Sequence, residues 1–228
     1  PAVAWRGLPA LELEPSRLAR ARIVSRDGGA AAAPWDLLRA RLIDEARRHG
    51  WRRIALASPA AGAGRTTALA NLALSFARAP GLRLIALDLD LRRPGLGPLL
   101  GQTPVTGMAA SLADVLAGRA PFAAAARRLG EATAFGLTTE ALASPADLLM
   151  APAARAALAE IEAAYAPDLT LIDTAPLAAG PAAQAALKLA DAAIILAEAN
   201  KTTIQQIDAA EHTIANCTNI LGTIITKA

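Results

Sequence analysis

Residues 58–67 read Ser-Pro-Ala-Ala-Gly-Ala-Gly-Arg-Thr-Thr. Two glycines spaced by one residue, then a long cation and two hydroxyls, suit phosphate chemistry. Gly62 and Gly64 let the backbone fold so that successive N–H groups, including those of Ala63 and its neighbours, point at one anion. Thr66 stands where a hydroxyl ligates Mg²⁺, with Thr67 beside it. The pattern is a phosphate-binding loop of Walker A type with two departures: Arg65 stands for the expected lysine, and Pro59 for the loop's first glycine. Taken alone, the segment has an alternative reading as a glycine-rich strand-to-helix turn with no ligand.

Two acidic strand ends argue against that alternative. The apolar run Leu84–Leu87 ends in Asp88-Leu89-Asp90, and Leu169–Ile172 ends in Asp173. In a parallel sheet such ends share one edge, where ligands bind. Phosphate donors would then meet carboxylates able to hold Mg²⁺ or accept a proton. Each aspartate singly reads as a turn or N-cap residue; their order and spacing together favour a nucleotide site.

These groups need elements to hold them. Ile54–Ala57 predicts a short buried strand leading into the loop, and Leu69, Leu72, Ala73 and Phe76 recur at helical spacing after it. Phosphate would sit at that helix's N-terminus, which binds anions whatever residue 65 is. Strands near 53, 84, 132, 169, 193 and 221 alternate with helices, which predicts an α/β fold: a mostly parallel sheet with helices on both faces. Residues 1–33 read as an irregular arm and linker, in which Arg22–Ser25 is expected to add an edge strand or dock on a neighbour. Residues 34–228 read as one phosphate-loop domain, a size at which single α/β domains are common. From Thr202 the composition turns to Thr, Ile, Asn and Gln without arginine, and no periodicity accounts for it.

Composition excludes several classes. The formal charge is +3 and no block of like charge occurs. Arg47-Arg48 and Arg127-Arg128 are expected on solvated helix faces, and no aromatics interleave them, so no nucleic-acid partner is expected. One cysteine, Cys217, allows no internal disulfide and suits a reducing compartment. His49 and His212 offer no zinc spacing. Asp173, Pro176, Pro181, Lys188 and Asp191 interrupt the least polar stretch, so no transmembrane segment is expected.

The chain resembles the bacterial tyrosine kinases of capsule and exopolysaccharide synthesis, relatives of the septum-site and partition ATPases (P-loop NTPases of the MinD/ParA type). The resemblance lies in Trp35-Asp36-Leu37-Leu38-Arg39, in Asp88-Leu89-Asp90-Leu91-Arg92-Arg93-Pro94, in Ser144-Pro145-Ala146-Asp147-Leu148-Leu149 and in Asp173-Thr174-Ala175-Pro176. It implies ATP or ADP with Mg²⁺ as cofactors. It places Arg65 at the catalytic lysine, Asp88 as the group that helps deprotonate an acceptor hydroxyl, and Thr66, Asp90 and Asp173 around the metal. It implies a membrane partner, a polysaccharide co-polymerase or chain-length regulator, which would recruit a cytoplasmic protein to the inner membrane.

The departures from that family carry equal weight. A guanidinium is longer and forked, and losing one preorganised transition-state donor costs about 10² to 10³ in rate. Nucleotide and metal binding are accordingly expected to be weak or lost. The family's oligomerisation signature Glu-x-x-Arg-x-x-Arg becomes Asp36, Arg39 and Leu42, so a monomer or dimer is expected in isolation. The adenine-binding asparagine after the last strand becomes Thr226. The chain stops at Ala228 with no tyrosine cluster, so phosphorylation of a tail is not expected, and its one tyrosine, Tyr165, is expected to pack in a core. A non-catalytic, kinase-like scaffold and a weak ATPase or kinase acting on a partner's tyrosines both remain open. A partition-type ATPase fits less well.

Overall fold

The computed structural model describes residues 1–102 and 107–227. Its centre is a seven-stranded sheet of order β3-β4-β2-β5-β1-β6-β7. The strands are β1 (Arg53–Ala57), β2 (Leu84–Asp88), β3 (Ala126–Leu129), β4 (Thr133–Gly136), β5 (Leu169–Asp173), β6 (Ala192–Glu198) and β7 (Asn219–Thr226). All neighbours pair in parallel except β3 with β4. The expected strands are present; β3, an antiparallel edge, is additional. Arg127 and Arg128 therefore lie on a strand and not on a helix face, and Arg127 is buried, with its guanidinium donating to the carbonyls of Ala126 and Gly107.

Residues alternate between the faces of a strand, and two cores follow from that. Ile54 and Leu56 of β1 face one layer with Leu84 and Ala86 of β2, while Ala55, Ala57, Ile85 and Leu87 face the other. The first layer is built by α3 (Ala33–His49) and α4 (Arg65–Ala77). The second holds the helices Pro152–Tyr165, Pro181–Leu187 and Ile204–Ala215. Alanine is the commonest small filler, so helices approach the sheet closely. Tyr165 is buried as expected, edge-on to Trp5 and Phe122. Leu42 lies wholly in the core, and Arg41 beside it is exposed.

Residues 1–33 are more ordered than their sequence suggests. They carry two short helices, α1 (Ala2–Arg6) and α2 (Pro15–Arg20). Trp5 and Leu8 enter one core, and Leu11, Leu18 and Ile23 enter the other. Between them the chain passes along β3: Arg128 N–H donates to the Pro9 carbonyl and Leu11 N–H to the Arg128 carbonyl, each at 2.7 Å. Arg22–Ser25 forms no strand and docks on α4 of its own chain, through Asn71. The arginine-free C-terminal stretch also has a physical setting. It forms the helix Ile204–Ala215 and β7, and β7 closes the sheet with one strand neighbour and side chains mostly half-exposed or exposed, which polar and β-branched residues suit.

Candidate phosphate site

Strand β1 delivers the chain to the carboxyl edge of the sheet between β5 and β6, where the strand order reverses. There the loop turns through Gly62 (φ 90°) and Gly64 (φ 86°), both in the left-handed region that a side chain disfavours. Gly64 caps α4, and Arg65 is its first residue. Strands β2 and β5 end in register at the same edge, with Asp88 paired to Asp173. The sequence thus brings Asp88, Asp90 and Asp173 to the loop, as expected from their strand-end positions.

The side chain of Arg65 points inward. It is only 7% exposed. Its Nε donates to the Thr174 carbonyl at 2.9 Å, and its Nη1 donates to the Ser58 hydroxyl. Its Nη2 lies 3.7 Å from Asp90 Oδ2, and its Nε 3.5 Å from Asp173 Oδ1. The guanidinium therefore stands between two carboxylates, one at the end of β5 and one two residues past β2. Thr66 faces the same group, donating its hydroxyl to Asp173 Oδ2 at 2.5 Å.

Asp88 has a different setting. It is fully buried, and both its oxygens accept backbone N–H groups: Oδ2 from Gly95 (3.0 Å) and Leu96 (2.9 Å), Oδ1 from Asp90 (3.3 Å). Burial and the neighbouring Asp173 push its carboxyl well above the usual range, against the pull of those N–H donors. In this arrangement Asp88 holds the turn after β2 through these three N–H groups. Burial likewise raises Asp173, to about 6, although Arg65 and Thr66 pull it down. Asp90 is raised by burial against hydrogen bonding from Arg93 N–H and the charge of Arg65.

Thr66, Asp90 and Asp173 offer the hard oxygen donors that Mg²⁺ takes. One of them is available: Asp173 Oδ1 is buried without a hydrogen-bond partner among the described residues. The nearest cation to that oxygen is Arg65 itself. Among the described residues no group of three or more His, Cys, Asp and Glu is arranged to hold a metal ion. With Arg65 lying between the carboxylates, the residues as arranged do not fit Mg²⁺ as well.

Thr226 lies at the end of β7 and donates its hydroxyl to the carbonyls of Ala63 (2.8 Å) and Ala197 (3.3 Å). It ties the loop to the last strand and lines a cavity of about 430 Å³ with Pro34, Trp35, Leu38, Thr67 and Ile224. A second cavity of about 400 Å³ lies over Gly62, Gly64, Arg65, Thr66 and Thr67, and Arg20, Ala21, Arg22 and Lys227 complete its wall. The sequence reading missed those three cations. Two sit in a segment read as irregular, and nothing in local sequence signals their approach to the loop.

No family model matches the chain. It is similar to the tyrosine-protein kinase YwqD of Bacillus subtilis, 29% identical over 174 residues, which is 75% of this chain and 70% of that protein. It is also similar to the putative tyrosine-protein kinase AmsA of Erwinia amylovora, 31% identical over 171 residues, 74% of this chain but 22% of that protein. In fold it matches the kinase domain of the Escherichia coli tyrosine kinase ETK with a TM-score of 0.75, at 20% identity, covering 87% of this chain and 77% of that one. Cobyrinic acid a,c-diamide synthase from Mycobacterium smegmatis, solved with a bound ATP analogue and magnesium, matches with a TM-score of 0.63 at 24% identity, over 78% of this chain and 74% of that one. The resemblance to bacterial tyrosine kinases and the P-loop α/β fold of the MinD/ParA type both hold.

Proposed function

We propose that this chain is a tyrosine-kinase-like phosphate-loop protein that binds nucleotide but turns it over poorly, and that serves as a scaffold in exopolysaccharide or capsule synthesis and export. The observation that carries this reading is the inward course of Arg65, which commits the loop's cation to Thr174, Ser58 and the two carboxylates. The loop's backbone N–H groups and the α4 N-terminus remain to receive phosphate. The adjoining cavity beside Trp35 and Thr226 offers an apolar wall to the base. Arg65 supplies the positive charge that the carboxylates need, so binding does not call on Mg²⁺. Phosphoryl transfer would lack a cation poised at the developing charge, a deficit of about 10² to 10³ for each missing donor.

The partner the family resemblance implies is a membrane chain-length regulator, which would bring a cytoplasmic chain to the inner membrane. Among the described residues no helix is long and apolar enough to cross a membrane. Residues 34–228 would form the kinase-like domain, with 1–33 docked on it. A second reading, a kinase acting on a partner's tyrosines, is favoured by one feature: Thr66 and Asp173 lie at hydrogen-bond distance beside the loop, as a competent metal site would need.

Titration of the chain with ADP and ATP, with Mg²⁺ and with a chelator, separates these readings when run beside a turnover assay. We expect similar affinities under both conditions and turnover at background. Absence of heat with either nucleotide at millimolar levels would overturn the binding role. Mg²⁺-dependent turnover in the range of about 1–100 s⁻¹ that kinases show would overturn the scaffold role.

A further inference from the structure

Arg65 lines the cavity over the phosphate loop, but its guanidinium is committed to Thr174, Ser58, Asp90 and Asp173, and the further cations of that cavity come from other segments. Its wall contains Arg20 and Arg22 from the arm and Lys227 from the residue after β7. Arg20 and Arg22 enter no ion pair among the described residues. Lys227 is held at the loop: its Nζ donates to the Gly62 carbonyl at 2.7 Å and lies 3.2 Å from Glu198, which also pairs with Lys201.

Arg22 is held in place from below. Its backbone has φ 56°, a conformation that residues with side chains rarely adopt. Asn71, wholly buried on α4, fixes this turn. Its Nδ2 donates to the Arg22 carbonyl at 3.1 Å, and its Oδ1 accepts from Val24 N–H at 2.8 Å and from the N–H and hydroxyl of Ser25 at 3.2 and 3.1 Å. The remaining Nδ2 hydrogen goes to the Thr67 carbonyl at 3.0 Å. One amide thus spends its donors and acceptor on tying the arm to the helix that carries the loop.

We propose that Arg20, Arg22 and Lys227 form a cationic collar that binds the phosphates of a polyphosphate ligand, supplying from two distant segments the positive charge that Arg65, committed to the carboxylates, does not. Asn71 is the positioning residue for Arg22. The ligand class is a nucleoside di- or triphosphate or a free polyphosphate, whose shared chemistry is a chain of anionic oxygens that guanidinium groups pair with in bidentate fashion. The inference rests on the phosphate-loop reading above.

The test is calorimetric titration of the whole chain with sodium tripolyphosphate, ATP and AMP at two ionic strengths. The unsubstituted chain is expected to bind tripolyphosphate and ATP well and AMP poorly. Arg22→Gln and Lys227→Gln should each weaken tripolyphosphate and ATP by tenfold or more and flatten the salt dependence, while Arg22→Lys should keep part of the affinity. Asn71→Ala should weaken both ligands, with no further loss in an Arg22→Gln background. If Asn71→Ala does not fold, the exposed substitutions still decide the matter. Unchanged affinity in the triple variant Arg20→Gln/Arg22→Gln/Lys227→Gln would overturn the collar and leave the loop reading standing. Absence of binding by the unsubstituted chain to every phosphate ligand would overturn the loop reading and the collar with it.

Discussion

Arg65 donates through Nε to the main-chain carbonyl of Thr174 at 2.9 Å, a contact between residues 109 apart in sequence that fixes the guanidinium beneath the phosphate loop. A lysine has no Nε–H branch to make this bond and carries a compact ammonium on a flexible stem. Arg65→Lys is therefore expected to free the space between Asp90 and Asp173 and to yield Mg²⁺-dependent ATP turnover. The gain should approach the roughly 10² to 10³ of one restored donor. Asp173→Asn in the same background should abolish it. A lysine variant that binds ATP yet turns over no faster would show that Arg65 is not what limits the site.

Stability should fall as pH rises from about 4 to 6. Burial raises Asp173 from 3.8 to about 6 and raises Asp88 and Asp90 in the same direction. In that window the folded chain holds more protons than the unfolded one, and each proton lost with rising pH disfavours folding. Asp36, Asp114 and Glu198, whose carboxyls are lowered, act with the opposite sign, the two aspartates below the window and Glu198 at its lower edge. Urea unfolding at pH 4, 5, 6 and 7 measures the slope, and Asp173→Asn should flatten it. Arg65→Met, which strands two buried carboxylates, should cost about 3 kcal/mol at pH 7 and less at pH 5. Equal losses at both pH values would refute the counter-ion role.

In solution the chain should be a monomer or dimer by light scattering. Asp36 is engaged with Arg39 (3.1 Å), Arg78 (2.6 Å) and Ser75 of its own chain, so that part of the oligomerisation signature is already satisfied internally. Leu42→Arg restores the signature's second arginine but buries a charge in the core. We expect it to destabilise the fold, on the order of 3 kcal/mol, and not to induce assembly. A stable octamer from either protein would refute this.

Gly136→Ala tests how closely β4 is packed. A Cβ there would come within 2.7 Å of Leu87 Cδ2 and 2.8 Å of Phe122 Cε2. Overpacking of this kind costs about 1–3 kcal/mol, readable as a lower urea midpoint with an unchanged slope. An unshifted midpoint would mean that Phe122 has room to move.

The phosphate loop and the acidic strand ends were legible because each is local: glycines at fixed spacing, and apolar runs that stop at an aspartate. β3 was not. Its four residues, Ala126-Arg127-Arg128-Leu129, show no apolar alternation, and pairing with β4 and contact with the arm hold it in place. The arm hid its order for a similar reason. Trp5, Leu8, Leu11, Leu18 and Ile23 serve two different cores, so they follow no single period. Residue type alone identified Arg65 as unusual but not its course. That depends on Ser58 and Thr174, which meet it only when β1 and β5 pair side by side.

The same arm sets a condition on how the molecule matures. Residues 1–23 are synthesised before the groups they dock against, which come from Asn71, Arg128 and Tyr165, whose carbonyl accepts the Trp5 indole N–H at 2.7 Å. At ordinary synthesis rates the arm waits roughly 10–30 s for the last of these. Through that interval the Trp5 indole N–H has no Tyr165 carbonyl to donate to, so final docking of the arm follows the synthesis of the α-helix Pro152–Tyr165 and cannot precede it.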